Sequence, residues 1–279
     1  MPSARSAANL DVLEFYRHLP FNYRGSARDH AKTIKSINQI TSYAPLVPLL
    51  RKGTSFLDVG CGAGWLGLSA SHHYRCNVTG IDFNPVAIER AREVGRALGT
   101  TAEFHVADLF QFESGVRYDV VASMGVLHHT DDCHAGVRRL CDHFVRPGGV
   151  VVIGLYHRHG RRPFLDHFEQ MKRAGASESD MLGSYRRLHA SLTDEVHLMS
   201  WFRDQVLHPH ETQHTLCELL PVLEASEMEI VSTSINGFAR FDSIEQLCEL
   251  EPQLEQVGAE RLMRGQYYPG FFVFLARKK

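Results

Sequence analysis

Several protein classes are excluded by what the 279-residue chain lacks. Its six cysteines (Cys61, Cys76, Cys133, Cys141, Cys217 and Cys248) include no CxxC pair and no compact spacing. A disulfide scaffold is therefore not expected, and the thiols read as reduced, in a cytoplasmic setting. No apolar run approaches the length of a bilayer span, so no membrane partner is expected. The opening MPSARSAANLDVLEF has no apolar signal core, and export is not expected. Neither sign of charge dominates: 30 Lys and Arg against 32 Asp and Glu leave −2 at pH 7. That balance gives no field to gather nucleic acid or an anionic lipid surface. Internal repeats and low-complexity tracts are absent. What remains, at 44% apolar and 22% charged residues, is an ordinary globular composition. The chain is long enough for one large α/β domain with a substantial core.

The elements begin with a short helix over residues 10–18, followed by the aromatic, irregular stretch Phe21-Asn-Tyr-Arg-Gly-Ser. Ser26, with Asp29 three residues on, has capping-box spacing and opens a second helix with an apolar stripe at Ala31, Ile34, Ile37 and Ile40. From Ser55 strands and helices alternate. SFLDV precedes a helix from Trp65. NVTGID precedes a helix capped by Asn84, with Pro85 at its first position and Gly99 just past its end. AEFHVAD and YDVVASMG are the third and fourth strands. A helix from Asp131 or Asp132 to Phe144 leads into VVVIGLY, the fifth. Such alternation gives a parallel sheet with helices on both faces and puts ligands at the carboxyl ends of its strands. After Tyr156 it stops for about 55 residues, longer than a crossover needs. Helices are read over 164–174, 178–190 and 195–206, forming a cap over the pocket. A helix over 212–225, the strand MEIVSTSI, the helical stretch DSIEQLCELEPQLEQVGAERLM and the strand FFVFLAR complete the core. The expected organisation is an N-terminal helical lid over 1–44, a core over 45–156, a helical cap over 157–209 and the rest of the core over 210–279.

The chain is organised around FLDVGCGAGW, residues 56–65. A short buried strand ends at Asp58-Val59, Gly60, Gly62 and Gly64 follow at alternate positions, and a helix begins near Trp65. Glycine permits positive φ and close backbone approach, and the free N–H groups of the next helix face whatever lies over the turn. This suits a nucleotide-like ligand. A P-loop is rejected because no GxxxxGK[ST] occurs. A dinucleotide GxGxxG is present at Gly62-Ala-Gly64-Trp-Leu-Gly67, with Asp82 at a suitable distance for ribose, but that register leaves Gly60 unexplained.

A third pattern uses more residues. Asp58-Val-Gly60-Cys-Gly62-Ala-Gly64, then GIDFNP, VADLF, YDVVASMGVLHHTDD and LCDHFVRPGGVVVIGLY occur in order over 55–156. Together they resemble the five motifs of the class I S-adenosylmethionine (SAM)-dependent methyltransferases. The resemblance implies a Rossmann-like seven-stranded mixed α/β sheet with an antiparallel last strand, and SAM as co-substrate; no metal is expected. It implies that Gly60, Gly62 and Gly64 let the methionine part lie along the turn and that Asp58 acts near its ammonium. Asp82 would accept both ribose hydroxyls. Asp108 would accept from the adenine amine, Phe83 and Leu109 would sandwich the ring, and Met124 and Gly125 would complete the site.

Methyl transfer is an in-line displacement that needs alignment and exclusion of water, with a base only when the acceptor must lose a proton. The fourth motif lacks the Asn/Asp-Pro-Pro-Tyr element of adenine and amide methylation and reads Gly125-Val-Leu-His128-His129-Thr130. This resembles the small-molecule branch, and His128 or His129 is a candidate base. Tyr16 and Tyr23 are candidate lid residues, able to face the sulfonium or hold the SAM carboxylate; Tyr23 is also a candidate catalytic residue. His157, in the basic run Tyr156-His-Arg-His-Gly-Arg-Arg162, is a further catalytic candidate, and the run itself is a candidate anion site. His210-Glu-Thr-Gln-His214 matches HExxH but has polar residues between the histidines and no third ligand, so a zinc protease is not expected. The leading expectation is methyl transfer to a small molecule. A SAM-consuming cyclase of the azetidine-2-carboxylate synthase type, releasing methylthioadenosine, and a non-catalytic SAM-binding protein are the alternatives. A homodimer stays open.

Overall fold

The computed structural model describes residues 10–22 and 25–279. Seven strands, Ser55–Val59 (β1), Asn77–Asp82 (β2), Glu103–Val106 (β3), Tyr118–Met124 (β4), Val145–Tyr156 (β5), Met228–Thr233 (β6) and Phe271–Lys278 (β7), form one sheet. Their order is β3-β2-β1-β4-β5-β7-β6. The first five strands are parallel, and β7 runs antiparallel between β5 and β6. The fold is the Rossmann-like mixed sheet that the motif order implies.

Side-chain alternation divides the core into two faces. Leu57, Val59, Val121, Val151, Ile153 and Leu155 face one apolar cluster. Phe56, Val120, Ala122, Val150 and Val152 face the other. This period of two makes the central strands apolar on both sides, as a doubly covered parallel sheet requires. The covering helices are Trp65–Tyr74 (α3), Pro85–Leu98 (α4), Cys133–Arg139 (α5) and Leu216–Ala225 (α9). Asn84 accepts from the Val86 N–H at 3.0 Å and Gly99 closes α4 at φ 70°, the cap pair read from sequence.

The N-terminal helices are Leu10–His18 (α1) and Ala27–Ser36 (α2), the latter capped by Ser26. Between β5 and α9 stand Arg158–Arg173 (α6), Glu178–Leu188 (α7) and Glu195–Val206 (α8), with their own core of Phe164, Phe168, Met181, Tyr185, Leu198 and Phe202. Element bounds differ from expectation in several places: α2 ends before Ile37 and Ile40, and α6 starts six residues before Phe164. The helix read from Thr212 starts at Leu216, because 210–214 is held extended: Thr212 N–H donates to the His128 carbonyl at 2.8 Å, and His214 pairs with the end of β5. The long C-terminal helical stretch is two helices, Ile244–Leu250 (α10) and Gln253–Met263 (α11), with Pro252 at the break.

Candidate functional site

A cavity of about 470 Å³ opens at the carboxyl ends of β1, β2 and β4. Its floor is the glycine turn. Gly60 and Cys61 N–H groups both donate to the Ile81 carbonyl, at 2.8 and 3.0 Å, so the turn is clamped to the tip of β2. Gly60 has φ 68°, and a Cβ there would come within 2.4 Å of Val126 Cγ2. Gly62, at φ 52°, has open space above it, as a surface meant to meet a ligand requires. Three carboxylates stand in a row beside the turn. Asp58 Oδ2 accepts from Gly67 N–H at 2.9 Å. Asp82 accepts from Gly62 N–H at 2.8 Å and Asn84 N–H at 2.9 Å. Asp108, two residues beyond β3, accepts from Phe110 N–H at 2.9 Å. Each acid thus orders its own turn while facing the cavity, which Phe83, Leu109, Met124 and Gly125 also line. An open glycine turn with carboxylates at successive strand tips fits an adenosyl group carrying a cationic methionine part.

Burial foremost raises Asp58 from the ordinary carboxylate value near 3.8 to about 7, with Asp82 adding and the Gly67 N–H opposing. A carboxyl raised on folding contributes stability that is complete below its unfolded value and is lost as pH rises through about 7. Asp58→Asn is therefore expected to melt above the parent at pH 8, with a gap that closes as pH falls towards 4. Thermal melts across that range test it, and a gap independent of pH would refute the assignment.

α1 roofs the cavity and is tied to both sides of it. The Tyr16 carbonyl accepts from Asn84 Nδ2 at 3.0 Å, and the Phe15 carbonyl from Arg203 Nη2 at 3.2 Å. Tyr16 lines the cavity, and its hydroxyl donates to Asp204 Oδ1. Tyr23 lies outside the described residues, so its catalytic and cofactor-binding roles have no structural account.

Beyond the cradle, α8 presents Trp201, Asp204 and Gln205 to the same cavity, beside His129, Tyr156 and Tyr267. Tyr156 Oη donates to Asp204 Oδ2 at 3.3 Å and accepts from Gln205 Nε2 at 2.6 Å. His129 Nδ1 lies 2.9 Å from the His210 carbonyl. A carbonyl only accepts, so Nδ1 carries the proton and Nε2 of the neutral ring offers its lone pair, 3.9 Å from Asp204 Oδ1. Burial foremost pushes this imidazole down to about 4, so it is neutral near pH 7. Burial also raises Asp204, with His208 opposing. His208 stacks on His129 at 3.7 Å. The arrangement can take a proton at His129 Nε2 and hold it against a carboxylate.

Three candidates are placed elsewhere. His128 is fully buried behind the wall: its Nδ1 accepts from Tyr156 N–H at 3.3 Å and its ring packs on Tyr156 at 4.2 Å. The base role expected of it is corrected to packing. His157 caps α6 by accepting from Gly160 N–H at 3.2 Å and donates through Nε2 to Glu251 at 3.1 Å, so the catalytic role expected of it is corrected as well. Gly64 does not line the cavity; a Cβ there would meet Leu68 at 2.8 Å, so it serves the entry and packing of α3. The basic run is turned away because α6 begins within it. Arg161 is fully buried and Arg158 pairs with Glu218, and neither lines the cavity.

Asp204, Gln205, Trp201 and Tyr267 escaped the sequence reading. The one signal was Trp201, Asp204 and Gln205 at i, i+3 and i+4 on a cap helix, a shared face that becomes meaningful only when its neighbours are known.

Residues 56–149 match a family described as a methyltransferase domain. The chain is 31% identical over 148 residues to phosphoethanolamine N-methyltransferase 3 of Arabidopsis thaliana, covering 53% of this chain and 30% of that protein. It is 33% identical over 108 residues to a ubiquinone biosynthesis O-methyltransferase of Pseudomonas aeruginosa (strain UCBPP-PA14), covering 38% of this chain and 46% of that one. The chain thus spans less than half the length of these relatives. The fold is similar to magnesium protoporphyrin IX methyltransferase from Synechocystis PCC 6803 with bound SAM, at 14% identity and TM-score 0.53, covering 99% of this chain and 100% of that one. It is also similar to PKMT2 from Rickettsia typhi in complex with AdoHcy, at 15% identity and TM-score 0.57, covering 80% and 48%. At such identities the likeness concerns the fold. Sheet order, cradle and the segment matched over residues 56–149 are those of a class I SAM-dependent methyltransferase domain.

Proposed function

We propose that the protein transfers the methyl group of SAM to a small acceptor, neutral or cationic, bound at the α8 end of the cavity. One observation carries this: a single chamber joins the glycine-and-carboxylate cradle to a neutral imidazole backed by a buried carboxylate. SAM supplies an electrophilic methyl on sulfonium. The chain's own residues hold it, exclude water and place His129 Nε2 to take the acceptor's proton. Among the described residues the cavity wall has no lysine or arginine, while Asp204 and the faces of Tyr16, Tyr156 and Trp201 suit an amine or a hydroxyl. A phosphorylated acceptor, such as the name of the Arabidopsis relative states, would meet no cationic side chain of the described residues there. The reading requires no nucleic acid or lipid, and among the described residues no helix is long and apolar enough to cross a membrane; we place the protein in the cytoplasm.

The test is incubation with SAM and a panel of amines, hydroxyl compounds and their phosphate esters, with S-adenosylhomocysteine as readout. Product that depends on an unphosphorylated acceptor is expected. Methylthioadenosine formed from SAM alone would overturn methyl transfer in favour of self-reaction.

A further inference from the structure

The HExxH residues do not form a protease helix, but one of them belongs to another cluster. His134 from the first turn of α5, His214, and Glu218 from the first turn of α9 bring one ligand atom each within 4.8 Å of one another. Glu218 Oε1 lies 2.6 Å from His214 Nδ1 and 3.6 Å from His134 Nε2.

The spacing suits a cation. The Thr212 hydroxyl oxygen lies 3.1 Å from the His128 carbonyl and 2.9 Å from His214 Nε2. With the hydroxyl donating to the carbonyl, Nε2–H donates to its oxygen and Nδ1 turns its lone pair towards Glu218, the tautomer in which His214 is a metal ligand. His134 aims a third donor at the same oxygen and is about half exposed, leaving one side open to water. Arg158 takes the other carboxylate oxygen, which leaves Oε1 for the cluster.

We propose that His134, His214 and Glu218 bind one zinc-class divalent ion, with water as fourth ligand. Two imidazoles and a carboxylate are a known ligand set for such a site, whereas magnesium and calcium prefer oxygen throughout. Ligands at about 2.0–2.1 Å from a tetrahedral ion stand about 3.4 Å apart, which small rotations of Glu218 and the exposed His134 supply. The Thr212 oxygen, 2.9 Å from the far nitrogen of His214, would be the outer support of the metal-binding tautomer. The ion would also pin the strap over 210–214. Thr212 N–H donates to the His128 carbonyl and His210 Nε2 to that of Thr130, while the His210 carbonyl accepts from His129 Nδ1. Metal occupancy would therefore steady the loop that carries His129.

Metal-free full-length protein titrated with zinc against a chromophoric chelator tests this, with thermal melts in parallel. One ion per chain and a melting temperature raised by zinc are expected. His134→Ala, at a half-exposed position, and Glu218→Gln should each weaken binding at least about 10-fold, and Thr212→Val about 10–100-fold, the usual reach of an outer-shell contact. His105→Ala, elsewhere on the surface, should leave it unchanged. Absence of saturable 1:1 binding, or binding that survives both His134→Ala and Glu218→Gln, would overturn the site.

Discussion

Asp204→Asn is expected to slow methyl transfer by about 10²–10⁴-fold, the usual contribution of a positioned proton acceptor, while SAM binding stays nearly unchanged. The asparagine keeps an oxygen for the Tyr16 hydroxyl and keeps the volume. It removes the negative charge that stabilises His129 once its Nε2, 3.9 Å away, has taken a proton. Burial holds the imidazole near 4 with Asp204 already beside it. It therefore takes a proton only as methyl transfer makes the acceptor acidic, and the charge of Asp204 counts most at that point. Because burial raises Asp204, the parent's rate should fall as pH drops and this carboxyl becomes protonated. The variant should lose that step in its pH profile. Folding offers a control: a buried carboxyl raised on folding destabilises the protein at high pH, so the asparagine variant should melt no lower at pH 8. Single-turnover rates with saturating SAM, measured across pH, decide the matter. A variant with parental rates would remove the His129–Asp204 pair from the mechanism.

Arg161→Met is expected to cost about 3–5 kcal/mol of stability, the range for stranding one partner of a buried ion pair. Arg161 is fully buried, and all five of its N–H groups are used. Nε and Nη2 form a fork on Glu211 at 3.0 and 2.7 Å. Nη1 donates to Gln205 Oε1 and the Pro269 carbonyl, and Nη2 also donates to the Gln205 carbonyl at 2.8 Å. The guanidinium lies 3.9 Å from the Tyr156 ring centre and 4.6 Å from that of Phe164. Methionine fills much of the volume and leaves Glu211 without its counter-charge. The double variant Arg161→Met with Glu211→Leu should recover a good part of the loss, because removing both charges avoids the desolvation penalty. Urea denaturation midpoints measure both. A single variant within about 0.5 kcal/mol of the parent, as at an ordinary surface position, would mean that this arginine does not tie the cap to the core.

The two results bear on one structural point. Arg161 holds Gln205, and Gln205 orients the Tyr156 hydroxyl that meets Asp204. The acceptor end of the cavity is therefore built from α6, α8 and β5 together, and none of them carries it alone.

Sequence was most informative where physical constraints are local. The Gly60–Gly64 turn, the Asn84 and Gly99 caps and the alternation along β4 and β5 all depend on residues a few positions apart. So does the placing of Asp58, Asp82 and Asp108 at or just beyond strand tips. These conformational and burial requirements leave a mark in the order of residues itself, and the sheet and the glycine-and-carboxylate turn followed from it. Neighbouring histidines were another matter. His128 and His129 are equivalent in sequence, and only the packing of Tyr156 behind one and the opening of the cavity before the other separates them. Arg161 reads as part of a basic turn until α6 carries it inward against Glu211, 50 positions away. Asp204 is one polar residue on a cap helix until α1 and β5 bring two tyrosine hydroxyls to it. Burial, partners and protonation belong to contacts between distant segments, so the tertiary structure alone decided which titratable groups face the cavity.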